Sequence, residues 1–542
     1  MDDDKLFVIA IGGTGMRCLE SFVHLCAAGM FDNKEIDILT LDTDQGNGNK
    51  SRVEGLIGLY NKIKTNDASN PGGKPNANTF FSAKLNLYTF ATEYGNPQRK
   101  NFRTLSRLNS GSAEQKQDND DLADLFLDKD TVQDFNLDHG YRAQTHLGSM
   151  LMYHGILEAA REIKSGKTSP NRFAKNLEAF INLIHKNSSR ARVFIFGSVF
   201  GGTGASSIPV VPIALRDAMT ILSGEGATFN LNQIKFGSTL LTDYFSFANP
   251  SDTQMKQERV IANSKNFALN SQAALQFYLN DPTVKAFYKR LYHIGWPSQE
   301  KTEFINPGGN SQTITGGDKQ ENPAHVVELM CAAAAYDFFT SPVNEQQATY
   351  LYRCAELDDN GRLRLTGSSF VDDGEKFENK LGALLSFAHI SLAKQQGAFG
   401  MSGTEGFLER FNKQGIYDYD SITPEQSKEI DDYLKLFAYN FVGETFKKGW
   451  IYQIKDTVPG SFVFAPDAFR TDVRELRKID PGKIFNDEAH NWRSPMLSNS
   501  YDYFIKGLTK TGYSDDQNVE TIKEQFLGHL YNAITEAQGY NE

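Results

Sequence analysis

The stretch Val193-Phe-Ile-Phe-Gly-Ser-Val-Phe-Gly-Gly-Thr-Gly-Ala-Ser-Ser-Ile-Pro209 constrains this chain most. Residues 193–196 are β-branched or aromatic and of strand length, so they read as a buried strand. The run breaks at Gly201-Gly202-Thr203-Gly204 and resumes over 208–215 as an apolar segment that reads as helical. A strand, a glycine turn and a helix start make a place where unpaired backbone N–H groups and the positive helix end face an anion. Glycine lets the backbone approach that anion with no Cβ in the way. Ala205 and Ser206 complete the turn, with Thr203 and Ser206 as hydroxyl donors. A tight turn without a ligand would use the same residues; what weighs against it is a second copy near the N-terminus.

There, residues 6–11 are a strand, Gly12-Gly13-Thr14-Gly15 follows at once, and the segment from Met16 to Met30 has helical spacing at Cys18, Leu19, Phe22, Val23 and Cys26. Residues 36–41 form a second strand that ends in Asp42-Thr43-Asp44. Two strands around a helix, with an acidic tip on the second, are the first half of a mononucleotide-binding fold. Asp42 and Asp44 could meet a ribose or a metal-bound water; a solvated loop or a helix cap is the alternative.

Further on, 234–242 is a strand ending in Asp243-Tyr244-Phe245. Residues 253–279 read as one long helix with Ile261, Phe267, Ala268, Ala273, Ala274, Leu275 and Tyr278 inward. Strand 291–295 and helix 324–339 follow, the helix introduced by Pro323. Segment 65–78 reads as an exposed insertion, and both it and 109–121 are loop or partly disordered by composition. Arg142, just before a helix that runs to 163, is a candidate phosphate contact or a plain surface arginine. Beyond 345, helices at 377–395, 404–413, 424–448 and 516–537 alternate with strand-like 450–455 and 461–465. The expected fold is α/β: a Rossmann-like parallel-sheet nucleotide domain over 1–255, a central helix and the start of a second domain over 256–345, and a mixed α+β C-terminal part over 346–542.

A net charge of −11 argues against a nucleic-acid or anionic-membrane surface, which needs clustered Lys and Arg. Phosphate binding here has to come from backbone dipoles. No apolar stretch approaches the roughly 20 residues of a membrane helix, and the acidic start Met1-Asp-Asp-Asp-Lys is no signal peptide. Cys18, Cys26, Cys331 and Cys354 lack zinc-ligand spacing and read as reduced, buried thiols of a cytoplasmic protein. No residue set reads as a protein-only metal site.

With both glycine loops placed, the order of elements resembles the tubulin and FtsZ superfamily of GTP-binding proteins, and most of all its divergent bacterial tubulin-like members. Gly12, Gly13, Thr14 and Gly15 match the family's first loop. Asp42-Thr43-Asp44 matches its Asn-Thr-Asp, and Phe200-Gly-Gly-Thr-Gly-Ala-Ser206 its signature loop. The resemblance spans roughly residues 5 to 300, and only the two loops are specific. It implies that GTP or GDP with Mg²⁺ sits over the loops, that N–H groups from Gly13 to Met16 and Gly202 to Ala205 cradle the phosphates, and that Asn263 or Asn266 reaches the base. Asp243 is a loose counterpart of the family's next corner. Self-assembly into an oligomer or filament, a protein partner for the C-terminal half and a role in bacterial defence are further implications.

The departures are Phe200 and Ser206 for signature glycines, and Met16 and Asp42 for asparagines. The acidic loop expected after the central helix is reduced to Asn280-Asp281-Pro282, leaving Asp281 as the one candidate for orienting water, or as a bare turn. A non-hydrolysing scaffold therefore stays open. So does a dinucleotide-binding oxidoreductase or an adenylating enzyme. The first of these needs a third glycine where Cys18 stands, and the second loop has no task in either.

Overall fold

The structure, a computed structural model, describes residues 4–91, 111–128, 145–166, 172–223, 231–249, 263–297, 301–304, 322–353, 356–395, 424–458, 500–508 and 521–538, apart from a few positions within them, with some isolated residues besides. Arg142, Cys354, Ile261 and the segments 404–413 and 461–465 lie outside the described residues.

Seven strands make the central sheet: β1 (Lys5–Ile11), β2 (Glu35–Asp42), β3 (Lys84–Ala91), β4 (Ala191–Phe196), β5 (Lys235–Leu241), β6 (Tyr288–Ile294) and β7 (Thr349–Leu351). Their spatial order is β3-β2-β1-β4-β5-β6-β7 and every pairing is parallel. That is a doubly wound, Rossmann-like order, reversing direction between β1 and β4. Both faces are covered, so the central strands are apolar throughout instead of alternating with polar residues. β1 shows the division: Leu6, Val8 and Ala10 enter one core, Phe7, Ile9 and Ile11 the other.

One face carries α1 (Gly12–Ala27), α2 (Gly48–Lys64) and, from far along the chain, a helix over Val326–Thr340. Helices over Thr145–Lys164, Arg172–Lys186 and Val211–Ser223 cover the other. The sheet does not stop at residue 255, since β6 and β7 extend it. The C-terminal helices join the α1 face: Trp450 donates to Ser21 Oγ at 3.1 Å, and Tyr433 O–H and His24 Nδ1 lie 3.0 Å apart. No described helix is long and apolar enough to cross a membrane.

Several local expectations give way to tertiary packing. Residues 113–126 form a helix, begun by a capping box between Ser112 and Gln115. The helix expected over 424–448 ends at Phe437, and Tyr439–Val442 and Thr445–Lys448 form a hairpin. Trp450–Thr457 is a helix, not a strand, because Trp450, Ile451 and Ile454 bury one side of a turn against the core. Segment 65–78 is not simply exposed: buried Asn76 accepts from Lys64 Nζ at 2.6 Å. The expected inward face of 267–280 also fails at Ala268 and Ala273, which are exposed. That helix buries Phe267, Ser271 and Tyr278.

Candidate functional site

The site begins where β1 and β4, hydrogen-bonded neighbours, end side by side with Ala10 opposite Phe196. Each runs straight into glycines. α1 starts at Gly12 itself, so the first Gly-Gly-Thr-Gly is the helix's opening turn and not a loop before it. Gly12 has φ +66°, a left-handed conformation that suits glycine, and a Cβ there would stand 3.0 Å from Thr203 Cβ. The two glycine loops, 190 residues apart by the difference of 202 and 12, are therefore in contact.

Neither loop supplies its own cap. Ile11 and Gly201, the residues before the two helical turns, offer no side-chain acceptor, and no acidic residue lies in either first turn. The first N–H groups of α1 are thus left for an external acceptor. Gly13, Thr14, Gly201, Gly202 and Thr203 keep partial exposure. Among the described residues, the hydroxyls of Thr14 and Thr203 have no hydrogen-bond partner.

Other residues of the two loops work from behind. A Cβ on Gly15 would meet Phe196 O at 2.6 Å, and one on Gly204 would meet Ser198 O at 2.5 Å, so both glycines serve close packing. Met16 lies in the core. Ala205 O accepts from Tyr278 O–H at 2.6 Å, and Ser206 donates to Thr203 O at 3.0 Å while its own carbonyl accepts from Ser149.

Beside the first loop, β2 ends at Asp42. Asp42, Thr43 and Asp44 are all buried. Asp42 Oδ1 accepts from Asp44 N–H at 3.2 Å, but Asp42 Oδ2 and Thr43 Oγ have no partner among the described residues. Burial, reinforced by the Asp44 charge, pushes the Asp42 carboxyl up to about 7; the Asp44 N–H and Lys50 pull the other way. Lys50 is itself engaged by Glu54 at 2.8 Å and Thr89 at 2.7 Å.

A buried ionic cluster lies beneath the first turn of α1. Arg17 pairs with Glu20 and, at 3.2 Å, with Glu328; Arg52 reaches Glu20 at 2.8 Å; Tyr244 O–H donates to Glu328 at 2.8 Å. Burial raises the Glu328 carboxyl and Arg17 offsets part of that rise. For Glu20, burial is outweighed by Arg17 and Arg52, and its carboxyl is lowered. The cluster ties α1, α2 and the start of the 326–340 helix to the corner after β5.

The other predicted residues are Asp243, Asn263, Asn266 and Asp281, of which Asp243 adjoins Tyr244 and Asn266 adjoins Phe267, both in ring contact with Phe200. Asp243 pairs with Lys301. Asn263 caps a short turn by accepting from Lys265 N–H at 3.0 Å, and Asn266 is exposed. The helix 267–280 meets the second loop through residues not singled out from sequence for that role. Phe267 packs on Phe200 with centroids 4.8 Å apart, and Asn270 donates to Phe200 O at 3.3 Å. Asp281 is the N-cap of the next helix, its carboxylate accepting from Val284 N–H at 2.8 Å. Asn47 and Asn49, adjoining Gly13, were also missed. An Asn just before a helical pattern is a cap signal, and Asn47 does cap α2.

Taken together, the arrangement offers backbone and hydroxyl donors in the centre and buried carboxylate and hydroxyl acceptors on the β2 side. Among the described residues no group of three or more His, Cys, Asp or Glu could hold a metal alone. Cys18, Cys26 and Cys331 are buried free thiols. In comparisons with known proteins, no family model and no curated protein matches the chain.

Proposed function

We propose that this chain binds a magnesium nucleoside triphosphate, GTP in the first instance, in the manner of the tubulin and FtsZ superfamily. The observation that carries the reading is the contact of two uncapped glycine loops at the reversal point of a doubly wound parallel sheet. Ligands of such sheets bind outside the carboxyl ends of the strands at that point. N–H groups of Gly13, Thr14 and the 201–203 turn, with the Thr14 and Thr203 hydroxyls, would cradle the phosphates. Asp42 Oδ2 and Thr43 Oγ1, which lack partners among the described residues, would hold a Mg²⁺ ion brought with the phosphates. That ion would neutralise phosphate charge, since Arg17, Lys50 and Arg52 are already paired with carboxylates. A dinucleotide would leave the second loop idle.

Self-association is part of the proposal. Helix 267–280, packed on the second loop, exposes Leu269, Phe277 and Leu279. One observation favours a second reading, a scaffold that binds nucleotide without turnover: the only carboxylate singled out to orient water, Asp281, is engaged as a cap. Denaturing the purified protein and chromatographing what it releases tests the first claim. Guanine nucleotide in near-stoichiometric amount is the expected result; nucleotide-free protein that also fails to bind added GTP refutes it. Light scattering with and without GTP tests assembly, and unchanged scattering removes that half.

A further inference from the structure

The first glycine loop has one wall that comes partly from a distant segment. Around the space a Gly13 Cβ would fill stand Gln320 Oε1 at 3.2 Å, Asn47 Nδ2 at 3.3 Å and Asn49 Nδ2 at 3.4 Å. Asn47 and Asn49 open α2; Gln320 lies just before the 326–340 helix, 273 residues from Asn47 in the chain. Two rungs join the segments: Asn47 Nδ2 donates to Gln320 Oε1 at 2.8 Å, and Asn49 Nδ2 donates to Asn322 Oδ1 at 3.0 Å.

The accounting of these amides is one-sided. Asn47 Oδ1 accepts from the N–H groups of Asn49 and Lys50, Asn49 Oδ1 accepts from Asn322 N–H at 3.2 Å, and Gln320 Oε1 accepts from Asn47. Every amide oxygen of the three is engaged by the protein. What remains is mostly N–H: both hydrogens on Gln320 Nε2 and one each on Asn47 Nδ2 and Asn49 Nδ2, against one spare lone pair each on Gln320 Oε1 and Asn49 Oδ1. A wall with four spare N–H hydrogens against two spare lone pairs, beside a helix start with free N–H groups, is matched to an anion.

We infer that Asn47, Asn49 and Gln320 form a neutral wall of the first glycine loop that donates to the phosphate oxygens of the bound nucleotide, with Asn322 holding the wall in register. This rests on the nucleotide reading above. It explains how an acidic chain with its nearby lysine and arginine side chains already paired could hold a polyphosphate. It also places Gln320, from a segment that continues into the Glu328 cluster, in direct contact with the ligand.

The test is titration of the full chain with a fluorescent GTP analogue in Mg²⁺, at low and high salt. Gln320→Ala is expected to weaken binding about tenfold, the worth of a hydrogen bond to a charged group. Gln320→Glu is expected to weaken it further at low salt and less at high salt, because the new carboxylate repels phosphate through a partly screened gap. Asn322→Ala, which releases one of the two rungs and removes no donor of the wall, is expected to lower the melting temperature and to weaken binding by less than Gln320→Ala. If Gln320→Glu does not fold, Gln320→Met, of similar length and without donors, is read against the same tenfold loss. Wild-type affinity in the Gln320 variants overturns the wall and leaves the glycine-loop reading standing. Failure of the wild-type chain to bind the analogue at all overturns both.

Discussion

Asp42→Asn is the sharpest perturbation the structure offers, because one substitution should stabilise the fold and weaken the site. The Asp42 carboxyl is buried, has one oxygen without a partner among the described residues and sits beside Asp44. It is held at about 7 against an ordinary 3.8, burial being the larger cause and Asp44 the next. The folded state therefore keeps a proton that the unfolded chain releases. A raised carboxyl pKa makes stability fall as pH rises through the interval between the two values, with nothing lost below it and nothing further above. At about 1.4 kcal/mol per pH unit over roughly three units, the ceiling is ~4 kcal/mol. Asn keeps the shape and removes the charge, so the variant escapes that loss. Urea unfolding followed by tryptophan fluorescence, in EDTA and without nucleotide, measures it. Asn is expected to be nearly neutral at pH about 4 and to gain ~2–4 kcal/mol over wild type by pH about 8. In the same protein, Mg²⁺-dependent nucleotide binding is expected to weaken. A stability difference that stays flat between these pH values refutes the account of Asp42 as a strained, charged group kept for a ligand.

Three further outcomes follow from the same geometry. Gly204→Ala places a Cβ 2.5 Å from Ser198 O, in backbone that cannot yield cheaply, and is expected to cost about 1–3 kcal/mol in urea unfolding and to weaken nucleotide binding. Arg17→Ala leaves Glu328 buried with Tyr244 as its remaining side-chain donor, and a loss of about 3–5 kcal/mol by chemical denaturation is expected; wild-type stability would show that the cluster carries no net weight. Asp281→Ala removes a helix cap worth about 1 kcal/mol. GTP turnover that the variant keeps points to a different water-orienting residue, no turnover in either protein supports the scaffold reading, and a large fall in turnover with intact binding returns Asp281 to catalysis.

Where the sequence misled, the cause was long-range packing. Residues 450–457 carry aromatic and β-branched side chains that favour a strand, yet Trp450 reaches Ser21 on α1 only from a helix. The strands at 84–91 and 349–351 escaped notice because edge strands of a parallel sheet bury less and have no strong periodicity. Asn270, which the sequence did not single out, touches the second loop by donating to Phe200 O. Gln320 was invisible because nothing in its neighbours along the chain marks a residue that stands over Gly13.

Local chemistry alone settled the two glycine turns, the apolar strands before them and the acidic tip of β2, since each depends on residues within a few positions of one another. Strand order was not local. That β1 and β4 lie side by side, bringing Gly12 against Thr203, came from burying both faces of one sheet, a condition met only by the whole chain. The orphaned oxygen of Asp42 and the donor-rich amide wall belong to the same level. They arise from which distant groups are close enough to satisfy one another, and no stretch of sequence contains that information.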